Sequence, residues 1–150
     1  MSVLGIGIDL VEVESFSRQL SLPGTSFAVG TFTAAELAGA DQVARSAHNY
    51  SGARSRNLAA RFAAKEAFIK AWSSARMGKA PMMSGVNWLH LEVRKDSWDR
   101  PSLHLSGETA EAFASSLGDV TVSLSLSHDD SMATAMVVIG AIGAPVGGPK

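Results

Sequence analysis

Apolar and small or polar residues alternate strictly over residues 3–11: Leu4, Ile6, Ile8 and Leu10 fall on one side, Gly5, Gly7 and Asp9 on the other. The pattern predicts a strand with one apolar face and one nearly bare face. A short helix is expected over 12–20, broken by Ser21-Leu22-Pro23-Gly24. Thr33 followed by Glu36 is a capping-box pair that opens a second short helix. Residues 39–57 are polar and rich in Ala and Ser, and their conformation stays open apart from a lead into a long helix that ends near 75. At about 100° per residue, Leu58, Phe62, Ile69 and Trp72 form one wall of that helix. Ala59, Ala63, Glu66 and Lys70 form a neighbouring strip, where small residues stand beside one acid and one base. Something other than a side chain could occupy that space, and a phosphate held by a metal ion would fit it.

The second half reads as strands around one more helix. Residues 78–85 are a loop holding Pro81; 86–95 alternate weakly and end in a turn at 96–100, and 101–105 pair back as a short strand. A helix starts at Ser106 or Gly107 and runs to Leu117, with Gly118 as its stop. Residues 120–126 form a strand with Val120, Val122, Leu124 and Leu126 inward and serines outward, and 132–139 return as its hairpin partner. The Gly- and Pro-rich residues 144–150 read as a flexible tail, leaving a single domain over 1–143. This order predicts an α+β fold, with a mainly antiparallel sheet packed on the long helix.

Composition narrows the classes. With 46% hydrophobic and 18% charged residues in 150, the chain is globular rather than disordered. A net charge of −1 predicts no general affinity for nucleic acid or anionic membranes. There are no cysteines, which excludes disulfides, thiolate metal sites and cysteine nucleophiles. No signal peptide and no membrane span are expected, and a cytoplasmic location is favoured.

Several residues could carry chemistry, each beside a plainer reading. Asp9 follows two alternating glycines, which either admit a close ligand or simply make room for a helix. Glu66 suits a hard cation such as Mg²⁺, or a simple i,i+4 pair with Lys70. Lys65 is a phosphate contact or a snorkelling lysine, and Arg61 lies at the margin of the apolar wall. His128-Asp129 is an orienting pair or ordinary turn chemistry. The Gly-Ile-Gly-Ile-Asp order lacks the third glycine of a dinucleotide fingerprint, and no Gly-x-Ser-x-Gly elbow exists. His48, His90 and His104 show no metal-ligand spacing. Met82-Met83 and the Met132/Met136 pair read as packing.

Taken together, Gly5-Ile6-Gly7-Ile8-Asp9, Phe32-Thr33-Ala34-Ala35-Glu36-Leu37, the run from Arg61-Phe62-Ala63-Ala64-Lys65-Glu66 to Ala71, and Val122–His128 resemble the small 4′-phosphopantetheinyl transferases of the holo-[acyl-carrier-protein] synthase type. The pattern is most similar to the actinobacterial branch. The resemblance implies transfer of the phosphopantetheine arm of coenzyme A to a serine of an acyl carrier protein or carrier domain, in fatty acid biosynthesis, releasing adenosine 3′,5′-bisphosphate. It implies Mg²⁺ on Asp9 and Glu66, with Lys70 at the diphosphate completing the catalytic set. Arg61, Lys65, His128 and Asp129 match positions lining the coenzyme A cleft, Arg54 and Arg56 stand near a family arginine, and Pro101 matches a proline beside the adenine. A homotrimer with its site between subunits is implied as well. Three positions depart from the family pattern: Ser15 replaces an arginine that contacts the carrier, Asp99 replaces a glycine, and Ala53 replaces an arginine. The Ser15 change keeps a non-catalytic coenzyme A- or nucleotide-binding subunit as the alternative, and a trimeric structural module as a third reading.

Overall fold

The computed structural model describes residues 2–142. Strand β1 (Ser2–Glu12) leads into α1 (Val13–Leu20), α2 (Phe27–Thr31), α3 (Ala34–Arg45) and α4 (Tyr50–Ala75). A 3-10 turn (Trp88–His90) precedes β2 (Leu91–Lys95) and β3 (Pro101–Leu105), then α5 (Gly107–Leu117), β4 (Val120–His128) and β5 (Met132–Ala141). The main sheet has the order β1-β5-β4 and is antiparallel throughout, while β2 and β3 make a separate antiparallel hairpin. The α+β expectation holds. The expected tail, 144–150, lies outside the described residues.

Helix α4 is the axis of the molecule, and β1 crosses it at backbone contact. A Cβ added to Gly5 would sit 2.2 Å from the carbonyl oxygen of Ala71, and one on Gly7 would sit 2.0 Å from that of Ala67. Only glycine permits this approach. So the bare face of β1 packs on the helix, and the plainer reading of the two glycines is the correct one. The consequence is an inverted strand: Leu4, Ile6, Ile8 and Leu10 point outward and are exposed in the single chain. The strip of small helix residues is likewise filled by protein, since Ala59, Ala63, Ala67 and Ala71 are completely buried.

Two cores flank this contact. Phe68, Trp72 and Phe113 pack edge and face with ring centroids 5.2–5.9 Å apart, against Val137 and Ile139 of β5. Phe16, Phe32 and Leu58 form the second core, which seats α1 and α2 on the N-terminal half of α4. Helix α3 begins with the full capping box: Thr33 Oγ1 accepts from Glu36 N at 3.2 Å, and Glu36 Oε2 accepts from Thr33 N at 2.9 Å. It runs to Arg45, longer than expected. The open stretch 39–57 resolves into the end of α3, a short turn and the first two turns of α4, capped by Asn49 accepting from Gly52 N at 3.0 Å.

Candidate active site

Asp9 stands one alternation beyond Gly7, on the strand face that meets α4. Glu66 and Lys70 stand one turn apart on α4 and reach the same place. Lys70 Nζ donates to Asp9 Oδ1 at 2.7 Å and to the Ile8 carbonyl oxygen at 3.1 Å. Asp9 and Glu66 both line an open crevice of about 330 Å³, together with Glu12, Ser15, Gln19 and Phe62. The local sequence explains this: the glycines draw the strand onto the helix, so a carboxylate two residues on must open beside a helical one.

The electrostatics of the crevice are lopsided. Burial pushes the Glu66 carboxyl above its ordinary range, the negative charge of Asp9 pushes it further, and Lys70 opposes both. Lys70 is itself held above the usual lysine value by its hydrogen bond to Asp9. Two carboxylates therefore share one cation, and the pair retains an appetite for positive charge. Among the described residues no cluster of three or more metal-ligating side chains occurs.

Lys65 lies elsewhere. It is completely buried, and its Nζ donates to Glu36 Oε2 at 2.7 Å, to the Thr31 carbonyl oxygen at 2.6 Å and to that of Trp88 at 3.1 Å. Burial lowers its pKa, and the Glu36 carboxylate resists the shift. All three ammonium donors are satisfied within the protein. Glu36 also accepts from Val93 N at 2.9 Å, so one carboxylate joins α3, α4 and β2. Sequence reasoning found Glu36 as a helix cap and missed it as a hub. The missed signal is the pairing of a capping glutamate with a lysine on the apolar wall of the next long helix.

The remaining expected residues divide. Arg61 is nearly buried; its Nη1 donates to the Asn57 side chain and its Nε finds no protein partner. Burial lowers its pKa, opposed by Glu36 and then Asp99. Arg54 Nε pairs with Asp41 Oδ1 at 2.7 Å and holds that carboxyl below its usual range. Arg56 Nη1 reaches Asp130 Oδ1 at 3.2 Å, tying α4 to the β4–β5 turn. In that turn Asp129 Oδ1 accepts from Ser131 N at 2.8 Å and Met132 N at 2.7 Å, which is turn chemistry, while His128 is exposed. Pro101 opens β3 opposite Lys95. None of Arg54, Arg56, Arg61, Lys65, Pro101, His128 and Asp129 lines the Asp9–Glu66 crevice of its own chain. Ser15 does line it, its hydroxyl bonded to Glu12 and accepting from Arg18 Nη2 at 2.9 Å.

Comparison with known proteins gives the family. The holo-[acyl-carrier-protein] synthase of Mycolicibacterium smegmatis is 45% identical over 139 residues, covering 93% of this chain and 98% of that protein. The coenzyme A complex of the synthase from Chronobacterium ammoniagenes superposes with a TM-score of 0.79 at 43% identity, covering 90% of this chain and 95% of that one. The synthase of Bacillus anthracis, in complex with CoA (3′,5′-ADP), gives 0.64 at 29% identity, covering 95% and 100%. The family model described as the 4′-phosphopantetheinyl transferase superfamily matches residues 5–131, which span every element from β1 to the β4–β5 turn. By sequence and by fold, the chain belongs to the 4′-phosphopantetheinyl transferase superfamily, among its holo-[acyl-carrier-protein] synthases.

Proposed function

We propose that the Asp9–Glu66–Lys70 crevice transfers the 4′-phosphopantetheine arm of coenzyme A to a serine of an acyl carrier protein, in the service of fatty acid biosynthesis in the cytoplasm. The observation that carries the reading is the meeting of two carboxylates in a single open crevice, with a half-exposed lysine bonded to one of them. The donor set fits Mg²⁺, which takes one or two carboxylates and fills its remaining positions with water and phosphate. The raised Glu66 carboxyl supports the fit, because a cation would relieve the repulsion from Asp9. Asp9 and Glu66 would hold the ion, which supplies charge neutralisation and a template for the diphosphate.

The chain's own residues do the rest by position and charge. Lys70, with its side chain 51% exposed, can turn from Asp9 to a phosphate oxygen. The carrier serine Oγ forms a bond to the pantetheine-bearing phosphorus as the bond to adenosine 3′,5′-bisphosphate breaks; the serine proton leaves with solvent. The exposed Leu4, Ile6, Ile8 and Leu10, with Met136 beside them, support a homotrimer built on this face. In that assembly Pro101, His128 and Asp129 would serve a neighbour's crevice. Sedimentation should give a trimer, and Ile8→Glu should give monomers of greatly reduced activity.

The decisive assay is the intact mass of an apo carrier protein after incubation with coenzyme A and Mg²⁺. The phosphopantetheine increment is expected with the wild type and not with Asp9→Ala or Glu66→Ala. Coenzyme A binding without any increment would overturn the transferase reading in favour of a non-catalytic binding subunit.

A further inference from the structure

Among the described residues that line the Asp9–Glu66 crevice there is one hydroxyl, that of Ser15. Helix α1 puts it there. Val13 and Phe16 face the core, while Ser15 and Gln19, four residues apart, share the face that lines the crevice. Ser15 Oγ donates to Glu12 Oε2 and accepts from Arg18 Nη2 at 2.9 Å. Arg18 is itself fixed, its Nη1 donating to Glu14 Oε1 at 2.6 Å. Glu12 stands at the N-cap of α1, yet its side chain caps no backbone N–H and holds the serine instead. It is also a third carboxylate on the crevice wall.

A serine hydroxyl bonded to a carboxylate, with a cation on its oxygen, has the arrangement of an activated nucleophile. We propose that Ser15 is an acceptor for the chain's own reaction: with coenzyme A and Mg²⁺ bound and no carrier present, the phosphopantetheine arm passes to Ser15. The inference rests on the transferase reading above. The bond from Ser15 Oγ to phosphorus forms, the bond from that phosphorus to adenosine 3′,5′-bisphosphate breaks, and the hydroxyl proton goes to Glu12 Oε2 and from there to solvent. The hydrogen-bond roles allow it. A hydroxyl oxygen has two lone pairs; Arg18 takes one and leaves the other for phosphorus. Arg18 also favours the negative charge that develops on Oγ. Ser15 is held on a helix in the same crevice as Asp9 and Glu66, whereas a carrier serine must first be captured from solution, and a tethered group reacts at a high effective concentration. Ser131 Oγ also donates to a carboxylate, that of Asp129 at 3.1 Å, but it does not line the crevice. The product is a phosphodiester within the crevice, where it stands in the way of an incoming carrier.

The chain has no cysteine, so a pantetheine increment on it cannot be a mixed disulfide. The experiment incubates the full chain with coenzyme A and Mg²⁺, first alone and then with an apo acyl carrier protein. Intact mass is followed over time, and any increment is mapped by tandem mass spectrometry of peptides. One phosphopantetheine increment per chain is expected for the wild type alone, on the peptide that carries Ser15. Ser15→Ala should show none. Glu12→Gln keeps an acceptor for the hydroxyl but no base, and should slow the self-reaction by roughly a hundredfold, the lower end of what a positioned base contributes. Both positions are exposed, so neither change disturbs a core. A carrier that is modified while the chain stays unmodified would overturn the inference and leave the transferase reading standing. So would an increment that maps to another residue or persists in Ser15→Ala, or a self-reaction that Glu12→Gln does not slow. No increment on either protein would overturn both.

Discussion

Two lysines of α4, Lys65 and Lys70, each sit 2.7 Å from a carboxylate, yet the two pairs do opposite work. Lys65 and Glu36 are entirely buried, and every donor of the ammonium has a protein acceptor. Asp9 lines a crevice, and the side chains of Lys70 and Asp9 are 51% and 15% exposed. A closed pair cannot exchange partners without leaving a charge unpaired in a low-dielectric interior. An open pair can give up one partner to a ligand at little cost. A lysine–carboxylate pair at the same distance thus makes a closed structural joint in one place and an open, exchangeable contact in the other.

The comparison breaks most sharply at the buried pair. Lys65→Met should cost about 3–5 kcal/mol, because Glu36 keeps its charge without its counter-ion. Denaturant titration should show the midpoint falling with an unchanged slope. A loss under about 1 kcal/mol would mean that the joint is not what holds α3 and β2 to α4. Asp9→Ala and Glu66→Ala should instead cost roughly 10²–10³ in turnover, the usual scale for removing an electrostatic stabiliser, and leave the unfolding curve nearly in place. Lys70→Met should lose about tenfold or more in turnover while stability moves by less than ~1 kcal/mol. A purely thermal defect would reduce Lys70 to an ion-pair partner.

The smallest effect is the most diagnostic of the crevice. The folded-state pKa of Glu66 lies above its ordinary 4.5. Between those values the folded protein binds more protons than the unfolded chain, so stability falls as pH rises through that window. At neutral pH the ionised carboxylate is a burden on the fold. Glu66→Gln should therefore raise the Tm at pH 7 without Mg²⁺, and the gain should vanish below pH 4.5. Added Mg²⁺ with coenzyme A should raise the Tm of the wild type but not that of the variant.

Much of this was legible in the chain. The alternation over 3–11 placed β1 to within a residue at each end, and Gly107, Leu117 and Gly118 bounded α5 as expected. Which face of β1 is buried was not legible from the strand alone, since hydrophobicity points the wrong way. The complementary signal lies in another segment: the small residues Ala67, Ala71 and Ala75 recur at i,i+4 and match Gly5 and Gly7. The first turns of α4 were hidden because residues 50–57 carry Ser, Arg and Asn rather than an apolar period. Asp9, Glu66 and Lys70 could be picked out by residue type and spacing, and the structure brings them together. Lys65 could not be placed that way. Its partner is 29 residues earlier, and nothing local distinguishes a buried lysine from one that reaches a phosphate.

The most direct test of the central claim is a titration of the protein with Mn²⁺, standing in for Mg²⁺, in the presence of coenzyme A and followed by electron paramagnetic resonance. One ion per site is predicted for the wild type and for a folded Glu36–Lys65 variant, with binding lost in both Asp9→Ala and Glu66→Ala. Undiminished binding in either of those two variants would contradict the claim that these carboxylates together hold the metal.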